Sequence, residues 1–285
     1  MSDGLIRNVS DTARWVAAYR ADESKRPDAV FRDHLAERLA GKRGYEIASK
    51  STMHTRWAIV ARTKVIDDLV VRSVAQGTDR VLNLAAGFDT RPYRLDLPPT
   101  LSWIEADLPE LIDEKEALCA GETPRCGLIR ERVDLTDSAA RTELFRRAAG
   151  GGRRVLVLTE GLVMYLTSEM VAELARALYT VETFRRWIVD FSSPKILEIQ
   201  QQSMRTSLVQ APLRFAPADG VGFFEGQGWR ARDIRSLMRE ATRLRRTPAW
   251  MRLLGWLPQP NPRSGAGRWS VVVQFERPGA ATEAT

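Results

Sequence analysis

With 285 residues, 44% of them hydrophobic and 28% charged, the chain suits one large α/β body with an elaboration, and no apolar run is long enough to span a bilayer. Residues 1–7 lack a basic stretch followed by an apolar one, so no secretion signal is expected and the cytoplasm is the expected location. The net charge of +7 comes mainly from arginines scattered among acids, which reads as surface composition rather than a nucleic-acid interface.

From 11 to 39, Trp15, Val16, Tyr19, Val30, Phe31 and Leu35 recur at helical spacings broken by Pro27, predicting a helical cap over about 1–60. A second helical stretch over 57–74 carries Ile59, Val60, Val65, Ile66, Leu69 and Val70 and stops near Gly77. Strands are then expected at 81–85, 101–106, 128–133, 154–159 and 186–191, alternating with helices at 109–118, 138–148 and 168–180. That alternation predicts a doubly wound, mostly parallel, seven-stranded α/β sheet over 61–278. The stretch 195–209 reads as helix and 211–228, rich in Pro, Gly and Phe, as the rest of a lid inserted at about 195–228. A helix at 231–244, a Trp- and Pro-rich loop at 248–262, a strand at 269–275 and a disordered tail at 279–285 complete the reading. Cys119 and Cys126 match neither a zinc site nor a redox pair, so free thiols and no metal are expected. Arg239, Arg243, Arg245 and Arg246 cluster at a helix end, either as solvated complements to its dipole or as an anion contact.

The chemistry concentrates at strand ends. Val81 to Leu84 is an apolar strand that runs into Ala85, Ala86 and Gly87, whose small side chains let a ligand lie against backbone. About twenty positions on, a second strand ends in Glu105 and Asp107, a spacing that suits a ribose clamp, although Asp107 would also serve to start the helix at Pro109. A fully apolar strand, Val155 to Leu158, delivers Glu160 either to the same crevice or to a solvated loop. The turn lacks the third glycine of a dinucleotide fingerprint, which disfavours a nicotinamide dehydrogenase.

These segments resemble the leucine carboxyl methyltransferase superfamily, including its bacterial members that act on polyketide acids. The resemblance rests on Thr12-Ala13 through Arg20-Ala21, on Arg62, on the turn through Asp89-Thr90-Arg91, on Glu105 to Pro109, on Asp134-Leu135, and on Glu160-Gly161 through Tyr165-Leu166. It implies S-adenosyl-L-methionine as methyl donor. By the same resemblance Arg62 pairs with the methionine carboxylate, Ala85 and Gly87 meet the methionine portion, and Asp107 with Glu105 binds the ribose. Asp134 and Leu135 would flank the adenine and Glu160 would sit near the amino group. Ala85 stands where the family commonly has Gly, which is tolerable if the backbone there is not left-handed.

The expected activity is O-methylation of a small molecule such as a polyketide; the alternatives are a protein C-terminal carboxyl methyltransferase and, from another class, a nucleic-acid-binding protein. A carboxylate acceptor would be held by Arg20, Arg62 or Arg91, whereas a phenol would want a base, for which His54 is preferred over His34. Tyr19 and Tyr165, with Trp15, Tyr93, Phe215, Phe223, Phe224 and Trp229, are candidates to wall the acceptor pocket. Neither membrane nor nucleic acid is an expected partner, and the oligomeric state is not readable.

Overall fold

The computed structural model describes residues 9–51, 55–150, 154–203, 212–252 and 256–279. His54, the end of the helix expected over 195–209 and the tail beyond Gly279 lie outside these residues. The chain opens with helices α1 (Val9–Ser24), α2 (Ala36–Lys50) and α3 (Arg56–Ala75). Strand and helix then alternate as β1 (Arg80–Leu84), α4 (Arg91–Arg94), β2 (Ser102–Asp107), α5 (Pro109–Leu118), β3 (Gly127–Arg132), α6 (Ser138–Ala149), β4 (Val155–Thr159), α7 (Ser168–Thr180) and β5 (Phe184–Ser192). The rest comprises α8 (Pro194–Ser203), α9 (Gly222–Glu225), β6 (Arg230–Ser236), α10 (Leu237–Arg243) and β7 (Ser270–Glu276).

The seven strands form one sheet in the order β3-β2-β1-β4-β5-β7-β6. β1 to β5 are parallel, and β7 runs antiparallel between β5 and β6. Because side chains alternate along a strand, Leu82 and Leu84 of β1 join one buried layer while Val81 joins the other. The first layer holds Val155, Val157, Trp187, Val189 and Phe275 under α6 and α7. The second packs Leu156, Leu158, Ile188 and Val272 against Val65, Ile66, Leu69 and Val70 of α3. Strand order reverses between β1 and β4, so a crevice opens beyond their carboxyl ends.

α1 lies over that crevice with α2 packed against it, and two features join these helices closely. A Cβ on Gly44 would sit 2.5 Å from the Arg14 carbonyl oxygen, so only glycine permits this approach. Arg43 grips Asp11 through both carboxylate oxygens, at 3.0 and 2.8 Å. The arginine cluster after α10 has a third role besides the two expected. Arg246 is half-buried and pairs with Glu23 of α1 at 2.8 Å, while Arg243 folds back on Glu240 at 2.8 Å.

One element departs from expectation. The helix expected over 231–244 begins only at Leu237, because 230–236 is the edge strand β6. Ala231 and Ile234 are its only apolar residues and only one face is covered, so no strict alternation marks it as a strand. Arg230, Arg232 and Arg235 blunt this edge against pairing with another chain.

Candidate active site

The carboxyl ends of β1, β2, β4 and β5 open into a cavity of about 570 Å³, roofed by α1, the start of α3 and the segment 212–214. Among the described residues four carboxylates line it, Asp89, Asp107, Glu160 and Asp190, each placed by a strand end or the turn after it. Asp107 ends β2 and accepts from the Gly87 amide at 2.7 Å and the Leu108 amide at 2.8 Å. Burial pushes its carboxyl above the ordinary range, against the pull of those two N–H groups and of Lys115. The helix-start alternative fails, since the cap of α5 receives no side-chain bond.

Glu160 follows β4 and is held by Arg62 at 2.9 Å and Arg91 at 2.8 Å. Burial alone would raise its carboxyl, but the two guanidiniums outweigh that and hold it below the usual range. Arg62 also donates to Asp190 at 3.0 Å, and Asp190 accepts from the Gly161 amide at 2.6 Å. Beneath them Arg91, 1% exposed, joins Glu160 to Asp89 and Asp67, each at 2.7 Å. Arg94 extends the ladder from Asp67 toward Asp33, which pairs with Arg20 at 3.0 Å. A continuous chain of buried ion pairs therefore ties the crevice to the overlying helices.

The turn after β1 supplies the bare backbone. Ala85, Ala86 and Gly87 line the cavity, and Gly87 takes φ +47° as a glycine can. Ala85 sits at φ +53°, so the condition for painless replacement of the family glycine is not met: the backbone there is left-handed. Ala85→Gly should raise stability by roughly 0.5–1 kcal/mol after the extra freedom of the unfolded glycine is deducted. Urea unfolding checks this, and an equal loss of stability would show that the alanine is unstrained.

Several expected site residues stand elsewhere. Glu105 is fully buried and does not line the cavity; Lys115 at 2.8 Å and Arg130 at 3.0 Å claim its carboxylate behind the strand end. Asp134 is exposed and turned back on Thr136, accepting from its amide at 2.9 Å and its hydroxyl at 2.7 Å. Leu135 packs onto the core, so Thr136 rather than the Asp134-Leu135 pair reaches the wall. Tyr19 is buried against Trp15 and does not reach the cavity, since one helical position separates it from the lining residue Arg20. Arg20 does line it, but its guanidinium is committed to Asp33 and to the Phe88 carbonyl at 2.6 Å. Tyr165 lines the cavity with its hydroxyl bonded to Thr12; burial raises the phenol more than Arg62 lowers it, so it stays protonated near neutrality. His34 lies on the surface beside Glu122 at 3.5 Å. Among the aromatics, Trp15 joins Tyr165 in the wall, whereas Tyr93, Phe215, Phe224 and Trp229 belong to the core and Phe223 packs on Phe215. Asp190 was not anticipated, although an acid within the apolar run Trp187 to Phe191 is a visible signal.

Residues 13–179 match the model of the leucine carboxyl methyltransferase family. The chain belongs to that family. A Streptomyces coelicolor protein named as an S-adenosyl-L-methionine-dependent methyltransferase is 31% identical over 238 residues, covering 77% of this chain and 82% of its own. The tetracenomycin polyketide synthesis O-methyltransferase of Streptomyces glaucescens is 29% identical, over 61% of this chain and 64% of its own. The fold matches a solved DUF574 family protein from Streptomyces avermitilis with a TM-score of 0.61 at 12% identity, over 94% of this chain and 97% of that one. The family member described here is thus an S-adenosyl-L-methionine-dependent methyltransferase on a Rossmann-like sheet. No helix among the described residues is long and apolar enough to cross a membrane.

Proposed function

We propose that the enzyme methylates an oxygen, carboxylate or phenolic, of a small apolar acceptor of the polyketide kind. One observation carries this reading: a single cavity joins the carboxylate-lined strand ends to a chamber walled by Trp15, Val16, Ile59, Leu162, Met164 and Leu213. The first half fits a cationic nucleoside and the second a hydrophobic ring system. The polyketide O-methyltransferase among the relatives supports the choice of acceptor.

The residues present fit the donor. Asp107 keeps lone pairs beyond the two amide bonds it accepts, enough for both hydroxyls of a ribose. In this reading Arg62 meets the methionine carboxylate, Glu160 and Asp190 the amino group, and the turn from Ala85 to Gly87 the chain between them, all of which line the cavity. S-adenosyl-L-methionine supplies a sulfonium methyl, so the protein has only to align the acceptor oxygen in line and keep water away. Trp15 and Leu213 contribute to that exclusion from the roof, and Tyr165, protonated, offers a hydrogen bond rather than a base.

Incubating the purified chain with labelled donor and the small-molecule fraction of an extract tests the proposal. Label should enter an apolar compound as a methyl ester, released by mild alkali, or as a methyl ether, which survives it. Label appearing only on nitrogen, carbon or protein would overturn O-methylation of a small acceptor.

A further inference from the structure

Three cations line the cavity among the described residues: Arg20, Arg62 and Arg214. Two of them are committed, Arg20 to Asp33 and the Phe88 carbonyl, and Arg62 to Glu160 and Asp190. Arg91, the third cation expected to hold an acceptor, lies below the cavity with Asp67, Asp89 and Glu160. Arg214 differs from all of these. It is exposed, and among the described residues its guanidinium has neither an ion pair nor a hydrogen bond.

Its backbone is nonetheless fixed. The Arg214 amide donates to the Met164 carbonyl at 2.7 Å, tying this strap to the turn that carries Tyr165. The preceding Leu213 is 5% exposed against Trp15, Tyr19 and Ile59, and its carbonyl accepts from Gln201 at 2.7 Å. A cation with no partner among the described residues thus stands on an anchored backbone at the wall of the apolar chamber.

We infer that Arg214 is the acceptor-binding residue, its guanidinium holding the carboxylate of an acceptor with an apolar, ring-bearing body. This deepens the proposed O-methylation and rests on it. A carboxylate is ionised at neutral pH and matches the guanidinium fork, so no base is needed. One carboxylate oxygen forms the new bond to the methyl carbon as the carbon–sulfur bond breaks, and that electron pair stays on sulfur. The products are a neutral ester and a neutral thioether, and no proton moves. The ester no longer has the charge that Arg214 attracts, which favours its departure.

The test uses 2-naphthoate and its uncharged counterpart 2-naphthamide, titrated calorimetrically into the full chain saturated with S-adenosylhomocysteine. Naphthoate should bind at least about tenfold tighter than naphthamide. Arg214→Met should remove that preference while leaving naphthamide and S-adenosylhomocysteine affinities unchanged, and Arg214→Lys should restore part of it. Naphthoate binding no tighter than naphthamide, or indifferent to Arg214→Met, would overturn the role of Arg214 and leave donor binding intact. Failure of S-adenosylhomocysteine to bind the wild-type chain would instead sink the methyltransferase reading, and this inference with it.

Discussion

Arg91→Met should lower the unfolding free energy by about 3–5 kcal/mol and the thermal midpoint by roughly 10 °C. Arg91 is 1% exposed and is the shared partner of Asp67, Asp89 and Glu160, so its removal strands Asp89 in the interior and leaves Asp67 to Arg94 alone and Glu160 to Arg62 alone. Among these, burial acting alone would raise Asp89, yet Arg91, Lys115 and Arg94 hold it well below the carboxylate range, and Glu160 is held low as well. A carboxyl depressed on folding contributes stability that is full above its unfolded value, near 4, and is lost as pH falls through the folded value. The wild type should therefore weaken in acid below about pH 4. The variant should be most damaged at neutral pH, with the gap narrowing as acid protonates the abandoned carboxylates. Differential denaturation at pH 7 and pH 4 measures both; a gap independent of pH would mean that Arg91 acts through packing alone.

Asp107→Asn should weaken S-adenosylhomocysteine binding by roughly 10- to 100-fold, the size expected for losing charge-assisted bonds to the ribose. The sign of the pH dependence follows from burial, which raises the free carboxyl above its ordinary value. Ribose hydroxyls donate to the ionised form and lower the value in the complex. Affinity is then full above the free value and falls as pH drops through it toward the value in the complex. Calorimetric titrations between pH 7.5 and about pH 4.5 should show wild-type affinity declining while that of the Asn variant stays nearly flat. Parallel curves would remove Asp107 from the ribose.

The parallel half of the sheet was legible because local and long-range signals agree there. α5 starts at Pro109 as its sequence says, and α7 starts after Thr167, whose hydroxyl accepts from the Met170 amide at 3.3 Å. β1 and β4 are apolar runs ending in small or acidic residues, so Ala85, Gly87 and Glu160 could be placed at the crevice from spacing alone. β6 was not legible, because an arginine-rich edge strand shows no clean alternation and its register is imposed by β7. Glu105 was misread for a different reason. Alternation puts it on the same side as Asp107, but it cannot reveal that Lys115 and Arg130 arrive from α5 and β3 to claim it. Arg214 carried no local signal at all: what distinguishes it is the partners that the other cavity cations have and it lacks, a property of the assembled site.

The antiparallel β7 between β5 and β6 imposes an order of assembly. Ser192 pairs with Ser270 across a long excursion of chain, and β1 meets β4 across one nearly as long, with Arg80 opposite Val155, whereas β1 with β2, β2 with β3 and β4 with β5 join through short crossovers. Closing those two excursions carries the larger entropic penalty, so β1 to β3 and the β4–β5 pair should each consolidate before the crevice between β1 and β4 closes. The seam between β1 and β4 and the wall built from Leu237, Ser270 and Val271 are then the last to form, so an intermediate holding either half of the sheet alone would have no complete cavity.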